Sequence, residues 1–484
     1  MQQPDLYKIT APGKLALNLN LADGSSFAGD EVVRVVPNKR LVCKGIWQKK
    51  AVYAKLFIAD KARSYALRDE AGVRYLLAAN IKTPTLMYSG EIAENKGYVL
   101  IFEAIERAQN AEENWKNLSS KARDELATRL VQEIAKHHNA GLLQTDLYLK
   151  NFLVDGNVIY TLDGDGIRKY KKLSQNQALE NLSVLLSKFD VLELESWLQE
   201  LLKTYTEARG WQALPDAEVI RKMTSAHRQK VASNYADKKV FRQCTDVNIH
   251  ALEGLYIAVS SHALNLDLMQ ITEQMDTYFT KDNLLKSGRT CTVAVCEING
   301  KQIVIKRYNI KNFWHGAGRA LRQTRAAVSW ANAHRLKLLD IATAKPVALI
   351  EERKFGLKGK AYFLCEYIDA PDAVQFFTAC ANKASRADAI KNIATLFYKL
   401  YLLRVSHGDT KATNIKIVNN QPVLIDLDSM AQHGFAFFAL KAHARDLRRF
   451  MQNWKDDQAL YNGFVKTFKA IYVDHTPLKM AGIL

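Results

Sequence analysis

One series of residues occurs twice in this 484-residue chain with the same spacing. Asp146, Asn151 and Asp163 stand five and then twelve residues apart, and Asp409, Asn414 and Asp426 repeat both steps. The flanking segments repeat as well. An alternating, strand-like run carries Lys55 (Ala51-Val-Tyr-Ala-Lys55-Leu-Phe), and another carries Lys306 (Gln302-Ile-Val-Ile-Lys306-Arg-Tyr). A helical pattern follows each, through Asp69, Glu70 and Leu76 in one copy and from Arg319 to Leu339 in the other. Each then gives a second strand that ends in a hinge-like turn at Glu103 or Glu366. Long amphipathic patterns, Lys121–His138 and Arg386–Leu403, precede the two Asp series. The order strand with Lys, helix, strands, helix, Asp loop, strand with Asp, helix therefore runs twice. It predicts an α+β protein of two tandem domains, residues 1–260 and 261–484. No Pro/Gly/Ser linker marks the join, which is expected within Leu252–Thr280.

Composition narrows the class further. With 48% hydrophobic and 24% charged residues the chain has ordinary globular composition, which excludes a largely disordered protein. The start, MQQPDLYKITAPGK, lacks a basic segment followed by an apolar one, and no uncharged apolar run approaches the ~20 residues of a spanning helix. Six cysteines without a CxxC pair read as free thiols of a reducing compartment, so a cytoplasmic location is expected. The net charge of +18 favours anionic partners: nucleic acid, an anionic membrane surface or phosphorylated substrates.

The repeated residue types suit phosphoryl transfer, which needs positioning and charge neutralisation more than covalent help from the protein. A strand lysine holds the phosphates of a nucleotide and a helix carboxylate holds the lysine. An aspartate takes the proton of the acceptor hydroxyl. Asn and a further Asp offer the hard oxygen ligands that Mg²⁺ prefers. Lys55, Glu70, Asp146, Asn151 and Asp163 fit these roles in order, and Lys306, Asp409, Asn414 and Asp426 repeat all but the helix carboxylate.

This order resembles the protein-kinase-like superfamily, with Asp146 and Asp409 at the catalytic-loop aspartate and Asp163 and Asp426 at the metal-binding one. The resemblance implies two protein-kinase-like bilobal domains, each with a small β-sheet lobe and a larger helical lobe, with Glu103 and Glu366 at the nucleotide hinge. Neither half has a clear GxGxxG loop, and no APE phrase follows Asp163 or Asp426, which points away from protein substrates. The phrase Gly141-Leu-Leu-Gln-Thr-Asp146-Leu-Tyr-Leu-Lys-Asn151-Phe-Leu-Val is similar to that of the Kdo/WaaP lipopolysaccharide core kinases. In the second half, Pro346-Val-Ala-Leu-Ile-Glu351-Glu352 and His407-Gly-Asp409 resemble the same family. The resemblance implies a cytoplasmic enzyme that uses ATP and Mg²⁺ to phosphorylate a heptose or Kdo sugar of the lipopolysaccharide inner core. Its partner would be that core or its lipid-linked precursor, at the inner face of the cytoplasmic membrane and not at nucleic acid.

Two departures stand out. Gln144 replaces the His that usually braces the catalytic loop, and Ser329-Trp330 stand where the second half should carry its helix carboxylate. Glu351 or Glu352 is a candidate substitute anchor for Lys306. The second half is thus either catalytic or supporting, and a double pseudokinase scaffold remains an alternative. So does a soluble kinase of aminoglycoside-phosphotransferase type, whose HGDxxxxN phrase matches His407–Asn414, although its cationic substrates suit a basic chain poorly. Asp165 and Asp428 read as loop-structural. The basic runs Lys311–Arg325 and Arg221–Arg242 are candidate contacts for lipid phosphates.

Overall fold

The computed structural model describes residues 5–484 except 96, 253, 264–271, 273, 274, 289, 309–322, 355 and 356. The segment 309–322, most of the basic run expected to meet lipid, lies outside the described residues. The chain divides into two compact units, residues 1–227 and 228–484.

The first unit opens with six strands: β1 (Gly13–Asn20), β2 (Ser26–Val36), β3 (Arg40–Trp47), β4 (Lys50–Phe57), β5 (Leu86–Glu91) and β6 (Tyr98–Glu103). They form one antiparallel sheet in the order β1-β2-β3-β4-β6-β5. Alternation along β4 sends Val52, Ala54 and Leu56 into a core with Leu19, Phe27, Leu41, Val99 and Ile101. Lys55 and Phe57 therefore belong to the opposite face. Helix α1 (Ala62–Ala78) covers that face, packing Ala62, Ala66 and Val73 against Phe57, Leu100 and Phe102.

Helices α2 (Ala111–Asn117), α3 (Ser120–Asn139), α4 (Gln175–Leu186), α5 (Val191–Arg209) and α6 (Ala217–Asp237) follow. Their core joins Leu130, Val131 and Ile134 of α3 to Leu182 and Leu185 of α4 and Leu198, Leu201 and Tyr205 of α5. Ser119 and Ser174 cap α3 and α4, Ser174 within a capping box with Gln177. Five short strands lie among these helices: β7 (Gln109–Asn110), β8 (Leu142–Gln144), β9 (Phe152–Asp155), β10 (Val158–Thr161) and β11 (Ile167–Lys169). The Asp146 loop runs between β8 and β9, and Asp163 follows β10.

The second unit repeats the plan with one strand more. Its sheet takes the order β12-β13-β17-β18-β16-β15-β14. The strands are β12 (Val247–Leu252), β13 (Leu255–Ser260), β14 (Leu284–Ser287), β15 (Cys291–Ile298), β16 (Lys301–Tyr308), β17 (Pro346–Lys354) and β18 (Leu357–Glu366). Helix α7 (Arg325–Leu338) occupies the place of α1, and α8 (Ala373–Ala379), α9 (Lys383–Leu402), α10 (Ala436–Met451) and α11 (Gln458–Ile471) build the helical part. The expected boundary at 260/261 is corrected by this sheet. β13 pairs with β17, Leu255 opposite Glu352 and Val259 opposite Ala348, and Trp330 Nε1 donates to Val240 O at 3.0 Å. Residues 228–260 are therefore part of the second unit, and the division falls inside α6.

The α+β class and the twice-run order of elements are those the repeat implied. All six cysteines are free thiols. No helix among the described residues is long and apolar enough to cross a membrane.

Candidate active site

In the first unit Lys55 meets two carboxylates. Its Nζ lies 2.7 Å from Asp69 Oδ2 and 3.3 Å from Asp163 Oδ1. Arg40, across the sheet on β3, adds a second cation 3.5 Å from Asp163 and 3.8 Å from Asp69. Burial dominates at Asp69 and raises its carboxyl above the ordinary range against the pull of Lys55. Burial also works to raise Asp163, but Lys55 and Arg40 together outweigh it and hold that carboxyl below the ordinary range.

The expected anchor Glu70 is corrected to Asp69. The buried residues of α1 are Ala62, Ala66, Asp69, Glu70, Gly72, Val73 and Leu76, so both neighbouring carboxylates are buried, and it is Asp69 that reaches Lys55. Glu70 takes Arg74 Nη2 and Ser89 Oγ, each at 2.6 Å.

The Asp163 loop is locked against α1. Asp163 has a φ of 65°, a left-handed conformation that side chains rarely adopt, and Asp426 has a φ of 64° in the matching place. Gly164 follows, and its backbone touches the helix. A Cβ on Gly72 would lie 1.9 Å from Gly164 O, and one on Gly164 would lie 2.1 Å from Asp69 O. Gly72→Ala must push α1 off the loop, so thermal denaturation should show a loss of about 1–3 kcal/mol, the usual cost of overpacking. Turnover should fall with it, since Asp69 and Asp163 move apart.

Asp146 lies in the loop after β8. Asn151 Nδ2 donates to Asp146 O at 2.7 Å, which ties the two residues and leaves Asn151 Oδ1 with no hydrogen bond among the described residues. No ion pair reaches Asp146 among those residues either. Gln144 Nε2 donates to Leu162 O, next to Asp163, at 3.3 Å. In the second unit His407 Nε2 donates to Ile425 O, next to Asp426, at 3.0 Å. Gln144 thus makes the brace that its replacement of His put in question. Asn181 of α4 supports it from below, donating to Gln144 O at 2.9 Å. The ring of Tyr148 carries Lys188 and Lys150 at 4.1 and 4.8 Å from its centroid.

Arg40, Lys55, Lys150, Asn151 and Asp163 of these groups border a cavity of about 380 Å³. Its walls include Val42, Phe102, Leu153 and Leu162, with Arg40, Lys55, Asn151 and Asp163 on the polar side and Glu103 at the hinge. An apolar slot beside a cluster of cations and oxygen donors suits a flat ring carrying a charged chain.

The second unit is the sparser copy. Lys306 Nζ lies 2.9 Å from Asp426 Oδ1; burial works to lower the ammonium, and Asp426 outweighs it and raises it. Ser329 holds the helix place of Asp69 and hydrogen-bonds Tyr308 Oη at 2.9 Å. Neither candidate substitute reaches Lys306: Glu351 accepts from Thr324 and Arg353, and Glu352 from the Lys360 backbone. Cys291, opposite Tyr308, stands where the first unit has Arg40 opposite Phe57. Asn414 Nδ2 donates to Asp409 O at 2.9 Å, as in the first copy. Asp409 differs from Asp146 in that its Oδ1 lies 2.5 Å from Arg449 Nη2 of α10. Glu366 pairs with Lys345 at 3.5 Å.

Asp165 and Asp428 are each held by a helix arginine, Arg68 and Arg325, which fits their loop-structural reading. Sequence reasoning missed Arg40, Asp69 and the Asn181 support. Asp69 adjoins the expected Glu70 among the buried residues of α1, and Arg40 needed the β3–β4 register.

No curated protein matches this chain. Among solved structures, one described as "Structure of vaccinia related kinase 3" is similar at 15% identity, covering 50% of this chain and 79% of that one, with a TM-score of 0.27. The model of the lipopolysaccharide kinase (Kdo/WaaP) family matches twice, over residues 39–205 and 279–472, and the chain therefore belongs to that family.

Proposed function

We propose that the chain transfers the terminal phosphoryl group of ATP to a sugar hydroxyl, of heptose or Kdo, in the lipopolysaccharide inner core, and that the first unit carries the turnover. The observation that carries this reading is the set Lys55–Asp69–Asp163, with Lys55 and Asp163 lining one cavity together with Asn151, whose amide holds the Asp146 backbone. Lys55, held by Asp69, and Arg40 neutralise the phosphates. Asp146 accepts the proton as the acceptor oxygen bonds to phosphorus and the bond to the ADP oxygen breaks.

The donor set fits Mg²⁺. Asp163 and Asn151 offer oxygens, the latter with its amide N–H already spent on Asp146 O. Bound there, the ion would neutralise charge on the transferring phosphates. Ser329 in the place of Asp69, and the Arg449 pairing of Asp409, support a subsidiary role for the second unit.

The test is purified full-length chain with Mg²⁺-ATP and dephosphorylated core lipopolysaccharide, followed by mass spectrometry of the core. One added phosphate per core with matching ADP release is the expected result. ATP consumption with cationic aminoglycosides and none with core would shift the acceptor class. A folded protein that consumes no ATP with either acceptor would leave the scaffold reading.

A further inference from the structure

Among the described residues, the exposed phenylalanines gather at the N-terminal end of α10. Phe435, Phe437 and Phe438 are 74%, 58% and 59% exposed. They touch one another, with centroids 6.3 Å apart for Phe435–Phe438 and 5.7 Å for Phe437–Phe438. Single exposed apolar residues are ordinary; three adjacent aromatic rings are not. The helix itself is well anchored, because Ala439, Ala442, Leu447 and Phe450 bury its other side. The rings are thus held outward on a fixed support.

Cations surround them. Lys441 Nζ lies 4.2 Å above the Phe437 ring, and Lys441 and Arg445 line a depression of about 460 Å³ with His433, Phe435 and Phe438. From Ser429 to Lys455 the one acidic residue is Asp446. It is buried and accepts the backbone N–H groups of His407 and Gly408 at 2.7 and 3.0 Å, so it does not offset the outward charge. Lys441, Arg445 and Arg449 follow at four-residue steps, about 12 Å of helix rise in all, leading from the rings to Asp409.

We propose that this end of α10 is an interfacial anchor that docks the chain on an anionic phospholipid bilayer. Phe435, Phe437 and Phe438 enter the boundary between headgroups and acyl chains, and Lys441 and Arg445 meet lipid phosphates. Protruding rings with flanking cations match that interface. A second copy matches it poorly, since a two-fold contact would set Lys441 and Arg445 against their own kind in a chain of net charge +18. Docking deepens the kinase reading by giving the second unit a task for a lipid-borne acceptor. It needs no turnover, so either can fail alone.

The experiment is co-sedimentation of the full chain, without nucleotide or acceptor, with vesicles of phosphatidylcholine alone and of phosphatidylcholine mixed with phosphatidylglycerol. Binding is expected to the mixed vesicles, weakening as salt rises. The triple variant Phe435→Ser, Phe437→Ser, Phe438→Ser should lose roughly tenfold or more in partition coefficient. Lys441→Gln with Arg445→Gln should remove the preference for anionic vesicles, and Lys238→Gln with Lys239→Gln should bind as the parent chain does. Unchanged melting curves establish that the variants fold. Equal binding to both vesicle types, wild-type binding by the triple variant, loss in the Lys238/Lys239 variant instead, or a dimer that the triple variant abolishes would each overturn the proposal.

Discussion

The Asp146→Asn protein is expected to lose about 10²–10⁴-fold in phosphotransfer rate, the usual share of a positioned proton acceptor, with nucleotide affinity held. Asparagine keeps the shape, and the Asn151 bond goes to the Asp146 backbone carbonyl, so the loop survives the change. Asp409→Asn should leave most of the rate, because that carboxylate already shares Oδ1 with Arg449, and an acceptor hydroxyl would have to compete with a guanidinium. Its stability should change by less than about 1 kcal/mol, since the pair is partly solvated. Single-turnover phosphate transfer and fluorescent-nucleotide titration on both proteins check this. A collapse in Asp409→Asn with Asp146→Asn still active would move the active centre to the second unit. Partial losses in both would mean that both units turn over.

Much of this was legible in the sequence because the repeat fixes relative positions without reference to any fold. Two Asp–Asn–Asp series with equal steps place both loops, and the upstream alternation places Lys55 and Lys306 on strands. What failed did so for physical reasons. Residues 228–260 lacked a local sign of their unit, because the partner of β13 is β17, nearly a hundred residues on. Glu70 was chosen by residue type; both carboxylates are buried on α1, and the side-chain contact that selects Asp69 for Lys55 is not displayed by a single sequence. Arg40 reaches the site through β3–β4 register, which a single sequence does not display. The loss of the loop His mattered less than residue type suggested, since an amide at 144 donates to Leu162 O as the imidazole at 407 donates to Ile425 O, the carbonyl in the matching place.

The pair Asp69→Asn and Glu70→Gln separates the roles of the two neighbouring carboxylates of α1. Asp69→Asn leaves Lys55 with Asp163 as its ionised partner, so the ammonium swings toward the metal-side carboxylate. A displacement of Lys55 toward Asp163 costs on the order of 10²-fold in rate. Stability should not fall in step. Burial raises the Asp69 carboxyl, so at neutral pH its ionised form is held at a cost, and exchanging a buried ion for a neutral isostere is often neutral or favourable. The pH dependence follows from the signs. Asp69, raised in the folded state, binds protons more readily folded than unfolded, so its contribution improves as pH falls from its folded value to the ordinary carboxylate range. Asp163, held low, contributes above the ordinary range, and that contribution is lost as pH falls through its folded value. Wild type carries both slopes, and Asp69→Asn keeps only the second. Its melting temperature should therefore drop more steeply on acidification than that of wild type. Glu70→Gln should retain the rate and lose about 1 kcal/mol, because the Arg74 guanidinium it releases is largely solvated and an amide oxygen still accepts from Ser89 Oγ in place of the buried carboxylate. Reversal of the two rates would restore Glu70 as the anchor of Lys55.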